Sequence, residues 1–512
     1  MAKRCAFLLT AGLLLSACSL PPIKERTESH ALLSAETRDT RIGRGLSRQV
    51  ETHPGLSGVL ALQSPVDAFV VRRLLTAAAE CTLDVQYYIW RDDITGTLLL
   101  QALEEAAGRG VRVRLLLDDN GIPGLDEQLA LLNANANIEV RLFNPFPFRA
   151  FKPLGFVTDF KRVNRRMHNK SFTVDGQVTV VGGRNIGDEY FGATQGIEFA
   201  DLDILLAGPV VDEVSRDFDR YWSSASAYPV EKLVKLPGEQ QQEKLRAIRQ
   251  ARLATEQAHA YYDTARQSHL VQALQEGRLS LQWVPVRMVS DAPAKVLDRA
   301  EPETLLLARL QEVLDRPVRT VDLVSPYFVP TEAGVHAFRT MAQSGVRVRI
   351  LTNALEATDV PAVHAGYAPA RKPLLEAGIA LYEMRRDQGG PRVKEKAGPL
   401  GSSGSSLHAK TFAVDDERVF VGSFNFDPRS ARLNTELGFV LEAPQLAAAI
   451  GKTFDSMVDR AVYQVKLDES GQLVWVLQDD EGEKVFHHEP STGWWKRLYI
   501  RFLSLLPIEG LL

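Results

Sequence analysis

The chain contains 512 residues, of which 45% are hydrophobic and 24% are charged, and its formal net charge is −4. This length exceeds that of most single domains, and the composition is that of a globular protein, which excludes wholesale disorder. The small negative charge excludes a global attraction to nucleic acid or to an anionic membrane, so such an attraction would need local patches.

Residues 1–18 have the layout of an export signal. Lys3 and Arg4 precede an apolar run that is too short to span a bilayer, and small residues follow it. The sequence LSAC ends at Cys18 and resembles a bacterial lipobox, whose cysteine is lipidated and becomes the new N-terminus. We expect a lipoprotein on the periplasmic face of the envelope, with Ser19 favouring the outer membrane. A plain cleaved signal and an uncleaved anchor are the alternatives.

An α/β pattern then runs twice along the chain. Residues 19–50 are polar, show little periodicity and are interpreted as a tether. In 51–225 and again in 301–465, a strand, an amphipathic helix and a second strand follow one another, which indicates a duplicated α/β unit. The charged segment 226–300 predicts a helical connector, and 466–512 predicts hairpins followed by an amphipathic segment.

The same polar pattern occurs once in each half. It has His, Lys, Asp and Asn at offsets 0, 2, 7 and 17, and its copies are His168, Lys170, Asp175 and Asn185, and His408, Lys410, Asp415 and Asn425. The His and the Lys alternate along a predicted strand, so their side chains lie on one face. A hairpin turn accounts for the Asp by itself, but no hairpin requires the other three residue types twice.

These residue types suit chemistry on a phosphodiester. Two lysines and two asparagines can hold the non-bridging oxygens and offset the charge that develops there. One neutral imidazole can attack phosphorus, and the other, when protonated, can donate to the departing oxygen. Because each half supplies only one set of these groups, the two halves must face each other.

The paired motifs resemble those of the phospholipase D superfamily. Segments such as LDVQYYIW, RRMHNKSFTVDG, VGSFNFDPRS and LNTELGFV are similar to the bacterial cardiolipin synthase C group. The resemblance covers about residues 55–465. It implies two phospholipase D-type α/β/α sandwich domains in a pseudo-twofold arrangement, with the active site between them.

The resemblance also implies roles for the motif residues. The implied catalytic set is His168, Lys170, Asp175, His408, Lys410 and Asp415, and the phosphate-binding set adds Asn185 and Asn425. His168 would be the nucleophile and His408 the general acid and base, although the residues alone allow the reverse assignment. No cofactor and no metal are implied, and the sequence contains no HExxH pattern or cysteine pair that would indicate a zinc site.

The family places an orienting carboxylate after each motif. Asp201 is expected behind the His168 imidazole, and Glu436 is expected behind the His408 imidazole. The halves differ here, because the first has Asp instead of Glu and has Gly183 where the second has Ser423.

The implied reaction transfers a phosphatidyl group from phosphatidylethanolamine or phosphatidylglycerol to phosphatidylglycerol through a phosphohistidine. Phospholipid hydrolysis by the same residues is an alternative, and a metal-independent nuclease is a weaker one. Residues 142–166 interleave Phe with Arg and Lys, which suits an entrance at a membrane surface, a nucleic-acid groove or a packed loop. Residues 494–506 could lie in a membrane interface or dock on the core. We expect phospholipid and membrane partners and no nucleic acid.

Overall fold

The computed structural model describes residues 20–23, 26–194, 200–358, 360–386, 407–457, 462–479, 482–506 and 509–511. The predicted signal peptide and its Cys18 lie outside these residues. Within the described part, no helix combines the length and the apolar character needed to cross a bilayer.

The first half forms a nine-stranded mixed sheet. Its strands are β1 Ser57–Leu62, β2 Thr82–Ile89, β3 Arg112–Gly121, β4 Ile138–Phe143, β5 Ser171–Val174, β6 Val178–Gly182, β7 Asp203–Ala207, β8 Ala227–Pro229 and β9 Gln282–Val284. Their order is β8-β4-β3-β2-β5-β6-β7-β1-β9. Strands β2, β3 and β4 are parallel, and β5 runs antiparallel to β2. We call the edge at which the parallel strands end, and at which β5 begins, the carboxyl edge.

Helices cover both faces of this sheet. They span Pro65–Ala78, Ile94–Gly108, Asp126–Leu132, Gly155–Thr158, Phe160–Val163, Asp188–Phe191 and Pro209–Trp222. Along β3, Leu115 and Leu117 belong to the main core, whereas Leu116 packs with Phe218 and Trp222 on the other face. This alternation along one strand is why the sheet needs a helix layer on each side.

The second half repeats the plan with ten strands. They are β10 Val286–Ser290, β11 Thr320–Val324, β12 Arg347–Asn353, β13 Ala380–Met384, β14 Thr411–Val414, β15 Arg418–Gly422, β16 Leu437–Glu442, β17 Val462–Leu467, β18 Leu473–Asp479 and β19 Gly482–Phe486. Their order is β10-β16-β15-β14-β11-β12-β13-β17-β18-β19. Strands β11, β12 and β13 are parallel, and β14 begins at their carboxyl edge. The predicted duplicated α/β sandwich is therefore confirmed.

The helices of the second half are Leu306–Val313, Thr331–Gln343, Pro361–Tyr367, Arg371–Glu376, Pro428–Arg432, Pro444–Met457 and Trp494–Leu503. The two halves share one apolar cluster, in which Val181 and Ile204 of the first sheet pack with Val421 and Phe439 of the second. This cluster joins β6 and β7 to β15 and β16, so the two carboxyl edges meet beside it.

The tether interpretation of residues 19–50 is wrong for the described part from Arg26 onward. Residues 26–40 form a strap across the first half, in which Arg26 donates to the Ser224 carbonyl and Ala31 N–H donates to Asp219. Helix Arg41–Thr52 follows, and its first turn is capped by Thr40. The polar composition suggested a solvated chain, but these polar groups hydrogen-bond to the domain.

The connector contains more than the predicted helices, and the C-terminal hairpins belong to a larger sheet. The connector contains the helices Glu239–Leu253, Glu256–Arg266 and His269–Gln275, but its flanking residues are strands: β8 and β9 extend the first sheet and β10 extends the second. The C-terminal hairpins β17–β19 also continue the second sheet. These short strands gain their stability from long-range pairing, which local sequence patterns do not reveal.

Candidate active site

The two histidines lie where the two halves meet. His168 and Lys170 come just before β5, His408 and Lys410 come just before β14, and all four side chains are buried. Backbone hydrogen bonds join the halves at this point. His168 N–H donates to the Thr435 carbonyl over 2.9 Å, and His408 N–H donates to the Ala200 carbonyl over 2.9 Å.

This exchange puts each carboxylate behind the histidine of the other half. Glu436 follows Thr435, and its Oε2 lies 2.8 Å from His168 Nδ1. Asp201 follows Ala200, and its Oδ2 lies 2.7 Å from His408 Nδ1. The expectation that Asp201 orients His168 is therefore wrong, because the pairing is crosswise. Because Nδ1 of each ring contacts a carboxylate, Nε2 is the ring nitrogen available for chemistry, and Nε2 of His408 lies 3.3 Å from Lys410 Nζ.

The difference between Gly183 and Ser423 follows from the two carboxylates. A Cβ atom at Gly183 would lie 2.3 Å from Asp201 Oδ1, so only glycine leaves room for this carboxylate. In the second half, Ser423 Oγ donates to Glu436 Oε2 over 2.5 Å. The two halves thus position unlike carboxylates with unlike neighbours.

The lysines are held by their own motifs. Lys170 Nζ donates to the His168 carbonyl over 2.6 Å, and Lys410 Nζ donates to the His408 carbonyl over 2.5 Å. Each lysine also lowers the pKa of the histidine in the other half. All four groups therefore act within one site.

The two asparagines are not equivalent. Asn185 Oδ1 accepts from Ile89 N–H, and its Nδ2 donates to the Tyr190 hydroxyl over 3.2 Å. Among the described residues, the second amide hydrogen of Asn185 has no acceptor, so it can donate to a substrate. Asn425 is buried, and its Oδ1 has no hydrogen-bond partner among the described residues.

Two tyrosines complete the site and were not predicted from the sequence. The ring of Tyr88 packs edge-on against His168 with centroids 5.1 Å apart, and that of Tyr190 packs against His408 at 5.3 Å. Both belong to the first half, and the equivalent positions in the repeat are Pro326 and Ser430. Comparing the two halves could not reveal them for that reason.

Burial dominates the electrostatics of the site. It lowers the pKa of His408 to about 3 and holds the pKa of His168 well below its ordinary value, with the lysine charges adding to both effects. Burial likewise lowers the pKa of Lys170 to about 7. Without a substrate anion, the site therefore disfavours positive charge on the imidazoles.

The two carboxylates respond in opposite directions. Burial raises the pKa of Glu436 to about 7 despite the charge of Lys170. Burial would also raise that of Asp201, but the His408 hydrogen bond and the charges of Lys410 and Arg184 lower this pKa to about 2. Asp201 is thus the more fully ionised carboxylate at neutral pH.

Asp175 and Asp415 do not face the site. Asp175 closes the turn after β5, at the far end of the strand from His168, roughly 20 Å away along an extended chain. Its carboxylate accepts from the N–H groups of residues 80–82, and Asp415 accepts in the same way from residues 318–320. The prediction that Asp175 and Asp415 belong to the catalytic set is therefore corrected. Their contacts agree with the interpretation that they stabilise the turns.

Most basic side chains of residues 142–166 form ion pairs with acidic residues of the protein itself. Their acidic partners are Asp119 and Asp126 for Arg149 and Lys152, Asp159 for Arg162, Asp298 for Arg165, and Asp118 for Arg166. The expectation that these cations bind lipid phosphates is therefore not supported, with exposed Lys161 the exception. Among the described residues, no group of three or more His, Cys, Asp or Glu could hold a metal ion.

Comparison with known proteins agrees with this geometry. The profile of the family described as "Cardiolipin synthase, PLD-like domain" matches residues 71–222 and 310–458. The chain is 48% identical to cardiolipin synthase C of Escherichia coli (strain K12) over 460 residues, which cover 90% of this chain and 97% of that protein. It is 27% identical to cardiolipin synthase B of Shigella flexneri over 357 residues, or 70% of each chain.

A solved structure shares the fold. The crystal structure of phosphatidylserine synthase from Haemophilus influenzae Rd KW20 aligns with a TM-score of 0.56 at 15% identity, covering 92% of this chain and 99% of that one. With the matched profile spanning both halves and their histidine motifs, the chain belongs to the phospholipase D-like family of cardiolipin synthase domains.

Proposed function

We propose that the protein is a cardiolipin synthase-type phosphatidyltransferase that uses phosphatidylethanolamine or phosphatidylglycerol as donor and phosphatidylglycerol as acceptor. The observation that carries this proposal is the pair of buried imidazoles, each with Nδ1 beside a carboxylate and with a lysine next to it. The 48% identity to a protein named cardiolipin synthase C supports the same class of reaction.

In the first step, His168 Nε2 forms a bond to phosphorus, and the bond from phosphorus to the head-group oxygen breaks. His408 gives its proton to that departing oxygen. In the second step, His408 takes a proton from the acceptor hydroxyl, whose oxygen forms the new bond to phosphorus as the bond to nitrogen breaks. Lys170 and Lys410 offset the charge on the non-bridging oxygens in both steps.

The unlike carboxylates favour this assignment of roles. An ionised carboxylate stabilises the imidazolium form of a histidine, which a proton donor needs. Asp201 has this character beside His408. His168 stays neutral for attack because burial and the charges of Lys170 and Lys410 lower its pKa. The anionic phosphodiester adds the negative charge that raises the pKa of His408 from its low value in the substrate-free site.

Products formed from mixed vesicles test the proposal. Purified protein is incubated with phosphatidylglycerol and phosphatidylethanolamine, and the lipids are analysed by mass spectrometry. Cardiolipin with released ethanolamine or glycerol would identify the transferase and its donor, whereas phosphatidic acid alone would identify a phospholipase D. Cleavage of single-stranded DNA without lipid turnover would refute the proposal.

Two variants test the assigned roles. His168→Ala and His408→Ala should each abolish turnover, and wild-type turnover should persist in EDTA because the steps above use only side chains. Because a phosphorus–nitrogen bond is labile in acid, the reaction is quenched with alkaline denaturant, and wild-type protein should then carry the phosphatidyl group on His168. A phosphohistidine found at position 408 would reverse the two roles.

We also propose that the protein is a lipid-anchored component of the bacterial envelope, facing the periplasm and favouring the outer membrane. The LSAC sequence before Ser19 supports this proposal. Metabolic labelling with a fatty-acid analogue should mark the wild-type protein and not a Cys18→Ser variant. Equal labelling of both would contradict lipidation at Cys18.

A further inference from the structure

An exposed apolar patch follows β4 at the carboxyl edge of the first sheet. This loop patch consists of Phe151, Leu154, Val157 and Phe160, and the Val157 side chain is 81% exposed. The segment that carries it is firmly held. Phe146 packs edge-on against Phe156, and Phe146 N–H donates to Asp119 near the end of β3. The apolar side chains are thus displayed on a supported platform.

A second exposed patch lies on the C-terminal helix Trp494–Leu503. This terminal patch consists of Trp494, Trp495, Leu498, Tyr499, Phe502 and Leu505. The opposite side of the helix is docked, because Ile500 and Leu503 pack with Leu355 and Ala365. The helix carries Lys496, Arg497 and Arg501 but no acidic residue, so its charge is complementary to anionic lipid.

Each patch lies at the carboxyl edge of its own sheet, the edge at which the motif histidines also lie. Lys496 Nζ donates to the carbonyl of Leu355, two residues after β12 ends, which places the terminal patch at that edge of the second sheet. The loop patch occupies the corresponding edge of the first sheet, and His168 and His408 lie where the two edges meet. The two apolar surfaces therefore lie at the same sheet edges as the two histidines, one surface on each half.

The N-terminal strap begins at the same edge. Arg26 donates to the Ser224 carbonyl, and the neighbouring Ser226 carbonyl accepts from Asn144, which follows β4. The strap then runs to the opposite edge, where Thr37 Oγ1 donates to the Asp175 carbonyl. Cys18 precedes Arg26 by eight residues, a reach of at most about 27 Å in an extended chain.

We propose that the loop patch and the terminal patch form one docking face for a phospholipid bilayer, and that the strap holds the same face toward the membrane. This inference rests on the proposed function, since it places the site over its lipid substrates. The short distance from Cys18 to Arg26 means that an anchor there would orient the protein as well as retain it.

Tryptophan fluorescence reports on the terminal patch. Trp90, Trp222 and Trp475 are buried, whereas Trp494 and Trp495 are exposed. With the full chain carrying His168→Ala to prevent turnover, phosphatidylglycerol and phosphatidylethanolamine vesicles with brominated acyl chains should quench this fluorescence. A variant with Trp494→Phe and Trp495→Phe should lose the quenching. Absence of quenching in the His168→Ala protein would overturn the proposal.

The loop patch is tested by activity. The combined substitution Phe151→Ser, Val157→Ser and Phe160→Ser should lower turnover of vesicle lipid by about tenfold. It should leave turnover of monomeric short-chain phosphatidylglycerol unchanged. The matched control is Leu236→Ser, Leu274→Ser and Val318→Ser, which also replaces exposed apolar side chains and should change neither rate.

Two results would overturn the docking face even if the enzyme is active. One is an equal fall in vesicle and monomer turnover, and the other is conversion of a dimer to a monomer by the loop-patch substitutions, which would identify a second copy as the occupant. A protein that turns over neither lipid form would instead refute the proposed function. The quenching measurement on the His168→Ala chain would still decide the docking face.

Discussion

At the scale of single residues, the two halves have diverged around their carboxylates. The carboxylate of Asp201 lies close to the backbone of residue 183, and its Oδ1 accepts from Leu202 N–H over 2.7 Å. Glu436 has a longer side chain, and Ser423 fills the space beside it. Glycine is required at residue 183 for room and not for backbone conformation, so the two motifs cannot be interchanged.

Gly183→Ala should therefore damage the site more than Ser423→Gly. The new Cβ would displace Asp201 from His408, and misplacement of this kind costs about a hundredfold in rate. Ser423→Gly removes one hydrogen bond to Glu436 and should cost about tenfold. Initial rates of lipid turnover measure both, with Gly45→Ala as control because its Cβ meets no neighbour. Equal losses in the two variants would contradict the steric argument.

The raised pKa of Glu436 predicts how stability depends on pH. Its pKa in the folded protein, about 7, lies above the ordinary value of 4.5, so the folded state binds this proton more tightly. The stabilising contribution is complete below pH 4.5 and is lost as pH rises through 7. Relative to Glu436→Gln, the free energy of unfolding of the wild type should thus fall between pH 5 and pH 8.

Urea denaturation at the two pH values measures this difference. Glu442→Gln serves as control, because Glu442 is exposed at the end of the same strand β16 and should give a difference that does not change with pH. A constant difference for Glu436→Gln as well would contradict the raised pKa.

At the scale of elements, sequence patterns correctly predicted the strands and turns that local interactions determine. The strands around each motif and their hairpin turns are present, because alternation of side chains sets their register. The strap, β9 and β10 were missed, since each depends on partners far away in the sequence. The crosswise carboxylates were missed for the same reason. Asp201 and His408 meet only because the two sheets pack together. The spacing of residues along the chain cannot predict that contact.

The turn aspartates are predicted to affect stability and not chemistry. Asp415→Ala would leave the backbone N–H groups of residues 318–320 without their acceptor, and because the first two of these residues are exposed, the loss should cost about 1–2 kcal/mol. Denaturation midpoints should fall while turnover per folded molecule stays near that of the wild type. Glu417→Ala changes an exposed neighbouring carboxylate and is the control. A large loss of turnover in fully folded Asp415→Ala protein would restore a catalytic role.

At the scale of the whole molecule, the pseudo-twofold arrangement makes each half incomplete. The first half supplies His168 and the carboxylate of Asp201 for the other histidine, and the second half supplies His408 and Glu436. Backbone bonds at Thr435 and Ala200 and a shared apolar cluster hold this exchange together. One chain therefore forms one site, and that site requires both copies of the duplicated unit.

Mixing two inactive variants tests this conclusion. Protein with His168→Ala and protein with His408→Ala each lack one imidazole, and the intact histidine in each stays within its own chain. The mixture should therefore remain inactive toward phosphatidylglycerol vesicles, since a buried apolar cluster joins the two halves within each chain. Recovery of activity on mixing would require a site assembled from two chains by domain swapping. Size-exclusion chromatography of the mixture would then show the swapped species, and its absence together with inactivity would establish the single-chain site.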